Sequence, residues 1–172
     1  PYTTLFRSLM IDRKDPIAPA VKLDYLAQIA KALKYAHTRD VLHRDIKPAN
    51  VRVLDDDRVK LMDFGMAKIT SESGTRLTQD GSVMGTAGYF APEQLKALNL
   101  DQRVDIFSFG VVAYELLTFN RAFPGESFLV VFRQVLHDEP EPIASFWPES
   151  PMDLVDLVVK WRHKDPDARF GS

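Results

Sequence analysis

The sequence contains no cysteine, which excludes disulfides, thiolate nucleophiles and cysteine-based zinc sites. Its four histidines, at positions 37, 43, 137 and 163, lack the regular spacing of a metal site. There is also no excess of positive charge, because 22 basic residues face 24 acidic ones. The composition therefore gives no reason to expect nucleic-acid binding or attraction to an anionic membrane.

Long hydrophobic runs are missing as well. The longest apolar stretch covers residues 106–117, and Ser108 and Glu115 interrupt it, so it is too short for a transmembrane helix. No secretory signal peptide is recognisable. The hydrophobic share of 45% and the charged share of 27% are ordinary for a globular domain. We therefore expect this segment to be a soluble, cytoplasmic domain without membrane contact, and we leave open an anchor elsewhere in a longer protein.

Apolar residues recur at steps of three and four in several segments, which predicts a mainly helical fold. The predicted helices cover residues 21–38, 92–98, 104–117, 128–136 and 154–161, and the third is apolar on all sides. Two β-rich runs, residues 51–54 and 59–61, flank three consecutive aspartates, which predicts a small β-hairpin. Asp40 stands where a left-handed residue would close the first helix. Residues 66–90 are predicted to form a long loop.

The first eight residues, Pro-Tyr-Thr-Thr-Leu-Phe-Arg-Ser, resemble the translated read-through of a sequencing adapter. The alternative is a genuine terminus with little order. We treat residues 1–8 as non-native and exclude them from fold reasoning, which leaves residues 9–172 as the domain.

The stretch at residues 43–50, His-Arg-Asp-Ile-Lys-Pro-Ala-Asn, holds the densest group of chemically capable side chains. It places a carboxylate (Asp45), a cation (Lys47) and a carboxamide (Asn50) on one loop, because Pro48 disfavours a helix interior. Asp-Phe-Gly follows at residues 63–65 and Ala-Pro-Glu at residues 91–93. Each tripeptide alone is typical of an ordinary turn. In this order and spacing, however, they resemble the catalytic half of a eukaryotic-type protein kinase, in the style of the bacterial serine/threonine kinases.

The resemblance implies a role for each polar residue of these motifs. Asp45 would accept or orient the proton of a substrate hydroxyl, and Lys47 would reach the γ-phosphate of ATP. Asn50 and Asp63 would hold Mg²⁺, a cation that prefers oxygen ligands. Lys47 also marks the serine/threonine class in this family. Thr86 would hydrogen-bond Asp45 and Lys47 and shape the site for a small hydroxyl side chain of a protein substrate.

The resemblance further implies regulation by phosphorylation. Arg44 and Lys68 would form a basic pocket for a phosphate on the segment that follows Asp-Phe-Gly. We expect the phosphate on Thr78. The other candidate acceptors are Thr75 and Ser82. Asp80 is already negative and lies nearby, so a segment that needs no phosphate is the alternative.

Several further matches imply structural roles. His43 and Phe64 would pack together and set the direction of Asp63. Glu93 would form a buried ion pair with Arg169, and Asp105 would accept hydrogen bonds from the backbone around His43.

Other features of the kinase family are missing from these residues. The sequence has no glycine-rich loop, no strand bearing the ATP-binding lysine and no helix with its partner glutamate. We therefore expect a kinase-like helical C-lobe without the N-lobe, truncated at both ends and inactive by itself. A scaffold of the pseudokinase type is the main alternative. A small-molecule phosphotransferase of the aminoglycoside type is a weaker one, because that group lacks Lys47 and Ala-Pro-Glu.

Overall fold

The computed structural model describes residues 17–64, 86–98 and 100–171, together with the backbone of Thr4 and Leu5. The strands are β1 (Thr4–Leu5), β2 (Val51–Val53) and β3 (Val59–Leu61), and the helices are α1 (Pro19–His37), α2 (Pro92–Leu95), α3 (Arg103–Thr118), α4 (Phe128–His137) and α5 (Met152–Trp161). Short 3₁₀ turns lie at Pro48–Asn50, Ile143–Ser145 and Pro166–Ala168. The predicted mainly helical fold with a small β-hairpin is confirmed.

Helix α3 is the centre of the hydrophobic core. Nearly all of its residues are buried, as its continuous apolar sequence predicts, and it packs against both α1 and α5. Gly110 allows the close approach of α5, because a Cβ atom there would lie 2.7 Å from Cγ of Arg162 and 2.8 Å from Cβ of Trp161. In the described part of the chain, no helix combines the length and apolarity needed to cross a membrane.

The hairpin is held against α1 by side chains of that helix. Strands β2 and β3 pair antiparallel, with Val51 opposite Leu61. Gln28 accepts a hydrogen bond from the Val59 N–H at 2.8 Å and donates one to the Asp57 carbonyl at 3.0 Å. The Tyr25 hydroxyl donates to the Asp57 carboxylate at 2.7 Å. These bonds fix the position of the hairpin, whose first strand directly follows the 3₁₀ turn at Pro48–Asn50.

Two backbone features bear on the sequence predictions. Asp40 follows α1 with a φ of 57°, the left-handed conformation expected for the residue that closes this helix. Strand β1 pairs with β2 through Thr4 opposite Val53, which makes the sheet three-stranded. Sequence reasoning did not anticipate this strand, because it set residues 1–8 aside.

The half-buried amine of Lys164 connects α4 with the segment that follows α5. Its Nζ donates to the carbonyls of Gln134 (3.3 Å) and Val135 (2.8 Å) in the last turn of α4. It also lies 4.3 Å from the ring centroid of Phe123. Burial lowers the pKa of Lys164 from its ordinary 10.5 to about 8.

We expect this shift to make the fold more stable in mildly alkaline solution. The folded-state pKa lies below the unfolded one, so between pH 8 and 10.5 the unfolded chain binds more protons and the free energy of unfolding rises with pH. Allowing for the partial exposure of the group, the rise is about 1–2 kcal/mol. Urea unfolding at pH 7.5, 9 and 10 measures it. In Lys164→Met the slope with pH should flatten, and an equal slope in both proteins would contradict the assignment.

Candidate active site

The backbone of residues 43 and 44 is anchored by one buried carboxylate. Asp105, fully buried in the first turn of α3, accepts hydrogen bonds from the N–H of His43 at 2.8 Å and of Arg44 at 2.7 Å. A third bond joins it to Nε2 of His37 at 2.8 Å. The expected backbone contacts of Asp105 are thus present. The polar contact of His37 with Asp105 had no signal in the sequence.

Arg44 and Asp63 both have left-handed backbone conformations, with φ of 65° and 60°. This conformation is uncommon for residues other than glycine, and such residues concentrate at functional sites when the surroundings hold them in place. At Arg44, the hydrogen bond from its N–H to Asp105 supplies part of that hold.

Four of the predicted catalytic and metal-binding side chains come together in one cluster. They are those of Asp45, Lys47, Asn50 and Thr86. The Asp45 carboxylate lies 2.9 Å from Nζ of Lys47 and accepts a hydrogen bond from Nδ2 of Asn50 at 2.9 Å. Asn50 also donates to the Asp45 carbonyl at 2.7 Å. On the other side, Nζ of Lys47 lies 3.5 Å from the Thr86 hydroxyl. The 3₁₀ turn at Pro48–Asn50 brings Asn50 back towards Asp45.

His43 connects this cluster with the segment of Asp63. Its Nε2 bonds to the Met62 carbonyl at 2.8 Å, and its ring lies 4.6 Å from that of Phe64. The Asp45 N–H donates to its Nδ1 at 3.3 Å, so one neutral tautomer, protonated at Nε2, satisfies both bonds. Burial, the largest influence, lowers the pKa of His43 and favours this neutral form.

The oxygen atoms near Asn50 suit a hard cation. Within the described residues, both hydrogen bonds of the Asn50 side chain are donated by Nδ2, which leaves its Oδ1 as a possible ligand. The Met62 N–H donates to the Asn50 carbonyl at 2.8 Å, which places Asp63, an exposed carboxylate, directly after a residue bound to Asn50. Residues 17–64, 86–98 and 100–171 contain no group of three acidic, histidine or cysteine side chains that could hold a metal alone. Asn50 and Asp63 carry the oxygen donors that Mg²⁺ prefers, and an ion held by them would take its other ligands from phosphates and water.

Glu93 and Arg169 form the buried ion pair that the sequence predicted. Two hydrogen bonds, of 2.6 and 3.0 Å, join the guanidinium to the carboxylate. Arg169 also donates to the carbonyls of Arg103, His163 and Lys164. The pair therefore ties the start of α2 to the first turn of α3 and to the end of the described chain.

The structure also contains a connection that sequence reasoning missed. Gln94 is 4% exposed and accepts a hydrogen bond from the Ala91 N–H at 2.9 Å. Its Nε2 donates to the Arg44 carbonyl at 3.1 Å. In the sequence Gln94 only follows Ala-Pro-Glu, and nothing there indicates a contact fifty residues away. The predicted regulatory residues Lys68 and Thr78 lie outside the described part of the chain.

Comparison with known proteins identifies the class. The family model described as "Protein kinase domain" matches residues 3–172, and the chain belongs to this family. It is 41% identical over 170 residues to a probable serine/threonine-protein kinase of Streptomyces coelicolor, covering 99% of this chain and 25% of that protein. It is 37% identical over 157 residues to serine/threonine-protein kinase PknB of Mycolicibacterium smegmatis (91% and 25%). PknB of Mycobacterium tuberculosis is 35% identical over 163 residues (95% and 26%). The predicted likeness to bacterial serine/threonine kinases is confirmed, and the chain spans about a quarter of the length of these relatives.

Proposed function

We propose that this chain carries the catalytic loop of a serine/threonine protein kinase, which transfers the γ-phosphate of ATP to serine or threonine hydroxyls of proteins. Residues 9–172 form the kinase part in this proposal. The observation that carries it is the direct contact of the Asp45 carboxylate with both Lys47 and Asn50, beside the Thr86 hydroxyl. An acceptor, a fixed cation and an amide oxygen within one cluster are the groups that phosphoryl transfer requires from a protein.

Asp45 is the proton acceptor in this mechanism. Its side chain is about 19% exposed, so it is reachable from solvent and yet held by two donors. The ionised carboxylate is the form that can orient a hydroxyl and take its proton. The bonds to Asn50 fix the side chain and the carbonyl of Asp45 together, which keeps the acceptor in one orientation.

Lys47 and the two oxygen ligands deal with negative charge. Nζ of Lys47 lies between Asp45 and Thr86, where it can meet a phosphoryl oxygen as the proton leaves the attacking hydroxyl. Asn50 and Asp63 would hold Mg²⁺. When bound, the ion neutralises charge on the phosphates. We further propose that Arg44 and Lys68 bind a phosphate on Thr78, which would order the segment before Thr86.

Residues 1–172 contain no glycine-rich loop, so we expect phosphate transfer only when a nucleotide-binding half is supplied. The test uses a fusion of residues 9–172 to the nucleotide-binding half of the Streptomyces coelicolor relative, which we call the joined kinase. The joined kinase should transfer radiolabelled phosphate from ATP to serine and threonine peptides. A matched tyrosine peptide should remain unlabelled. The 172-residue chain alone should transfer none. A joined protein that binds ATP and magnesium but labels no peptide and not itself would support a scaffold instead.

A further inference from the structure

We propose that Gln94 is a positioning residue for Asp45, because its side-chain amide fixes the peptide group through which the chain enters Asp45. The inference rests on the proposed function, since Asp45 matters for transfer only if the chain is a kinase. Gln94 acts on the backbone of the catalytic loop and has no contact with reacting atoms.

The carbonyl that Gln94 holds belongs to the peptide bond between Arg44 and Asp45. The oxygen of that peptide group accepts from Nε2 of Gln94 at 3.1 Å, and its N–H, that of Asp45, donates to Nδ1 of His43 at 3.3 Å. Both ends of the peptide plane are therefore held. One position earlier, the Arg44 N–H donates to Asp105 at 2.7 Å. We infer the orientation of Asp45 from these three contacts, of which Gln94 contributes the one from α2.

The backbone conformation of Arg44 explains why such a hold is needed. A φ of 65° at a long-chain residue other than glycine is strained, and it persists only where the surroundings over-determine it. Without the bond from Gln94, a partly buried carbonyl would lose its donor and Arg44 could relax towards a right-handed conformation. Either change would rotate the peptide plane and displace the Asp45 carboxylate.

The two bonds of Gln94 require a particular chemistry. Its oxygen accepts from the Ala91 N–H while its nitrogen donates to the Arg44 carbonyl. A carboxylate of the same shape keeps the first bond and opposes the second, because it has no proton to donate. A protonated carboxyl group can make both bonds. Methionine has a similar length and can make neither.

A matched pair of glutamine substitutions separates positioning from simple loss of stability. Gln28 bridges two backbone groups in the same way, accepting from the Val59 N–H and donating to the Asp57 carbonyl, but it does so at the hairpin. In the 172-residue chain, Gln94→Glu should shift the NMR signal of the Arg44 carbonyl carbon and speed hydrogen exchange of the Asp45 amide by about tenfold, equivalent to one net hydrogen bond. Gln28→Glu should leave both signals unchanged.

A pH comparison tests the donor directly. Burial and the facing Arg44 carbonyl raise the pKa of the introduced carboxyl group, so it gains a proton as pH falls from 8 to 5.5. The Arg44 and Asp45 signals of Gln94→Glu should then return towards those of the unchanged chain. Those of Gln94→Met should not. His37, His43, Glu93, Asp105 and Arg169 are common to both variants, so the difference reports the substituted side chain. The proposal would be overturned if the Asp45 amide exchanged its hydrogen at the same rate in Gln94→Glu, in Gln94→Met and in the unchanged chain.

Activity provides a second, separate readout. In the joined kinase, Gln94→Glu should lower kcat by about 10- to 100-fold with KM for ATP nearly unchanged, as expected for a displaced acceptor. A rise in KM alone, with kcat retained, would also contradict positioning. If the joined kinase shows no transfer at all, the proposed function fails while the NMR comparison still decides whether Gln94 fixes the loop.

Discussion

Asp45→Asn in the joined kinase should lower kcat by about 10²–10⁴-fold, the range that general-base catalysis contributes. Asparagine has nearly the same shape, so Lys47 and Asn50 lose a charged acceptor without gaining a cavity. It cannot take the proton of the attacking hydroxyl. KM for ATP should change little, because the acceptor acts on the hydroxyl in the transition state rather than on the bound nucleotide.

A matched control for this substitution lies on α5. Asp156 is exposed and distant in sequence from the catalytic loop, so Asp156→Asn makes the same chemical change without touching the site. It should keep kcat within about twofold, as surface substitutions usually do. Urea unfolding should show the two variants equally folded. An Asp45→Asn enzyme that retained more than a third of its kcat would remove Asp45 from the mechanism.

Breaking the Glu93–Arg169 pair should lower the free energy of unfolding by about 3–5 kcal/mol, because the remaining partner is a buried charge without compensation. The Arg169 side chain is fully buried and that of Glu93 is 8% exposed. Arg169→Met also leaves the carbonyls of Arg103, His163 and Lys164 without this donor. For a domain of ordinary stability, about 5–15 kcal/mol, this loss is a large share.

The smaller change Glu93→Gln keeps the measurement possible if Arg169→Met does not fold. Urea unfolding of both single variants and of the double variant gives the coupling free energy, which should exceed about 1 kcal/mol for a buried, doubly hydrogen-bonded pair. The exposed pair Asp56–Arg58 is the control, with side chains 54% and 71% exposed. Asp56→Asn should leave the free energy of unfolding nearly unchanged, because exposed ion pairs contribute little. Equal effects at both pairs would contradict the structural role of Glu93.

The sequence predicted the elements whose signal is local. Helix α3 was recognisable because its apolar residues leave no polar face, and the hairpin because two β-rich runs flank acidic turn residues. The cluster of Asp45, Lys47 and Asn50 was predictable too, since its members lie within six residues of each other. Glu93 and Arg169 are 76 residues apart, and their pairing came from the resemblance to kinases alone.

Contacts between distant segments without such a resemblance could not be read from the sequence. The bonds of Gln94 to Arg44 and of His37 to Asp105 depend on how α2 and α1 pack, and a single polar residue in a helix gives no sign of its partner. The left-handed conformations of Arg44 and Asp63 were equally hidden, because neither residue type requires them. Strand β1 was missed because it lies in the part that was set aside.

The first turn of α3 has a consequence for how the molecule moves. The Arg103 carbonyl accepts a hydrogen bond from the Arg169 guanidinium that holds Glu93. Two residues later, the Asp105 carboxylate holds the backbone of His43 and Arg44. Asp45, the proposed proton acceptor, and the segment that begins at Glu93 are thus both attached to one buried turn of the core. We expect a displacement of that turn to move both together, which in the proposed kinase would preserve the separation between the acceptor and the substrate hydroxyl.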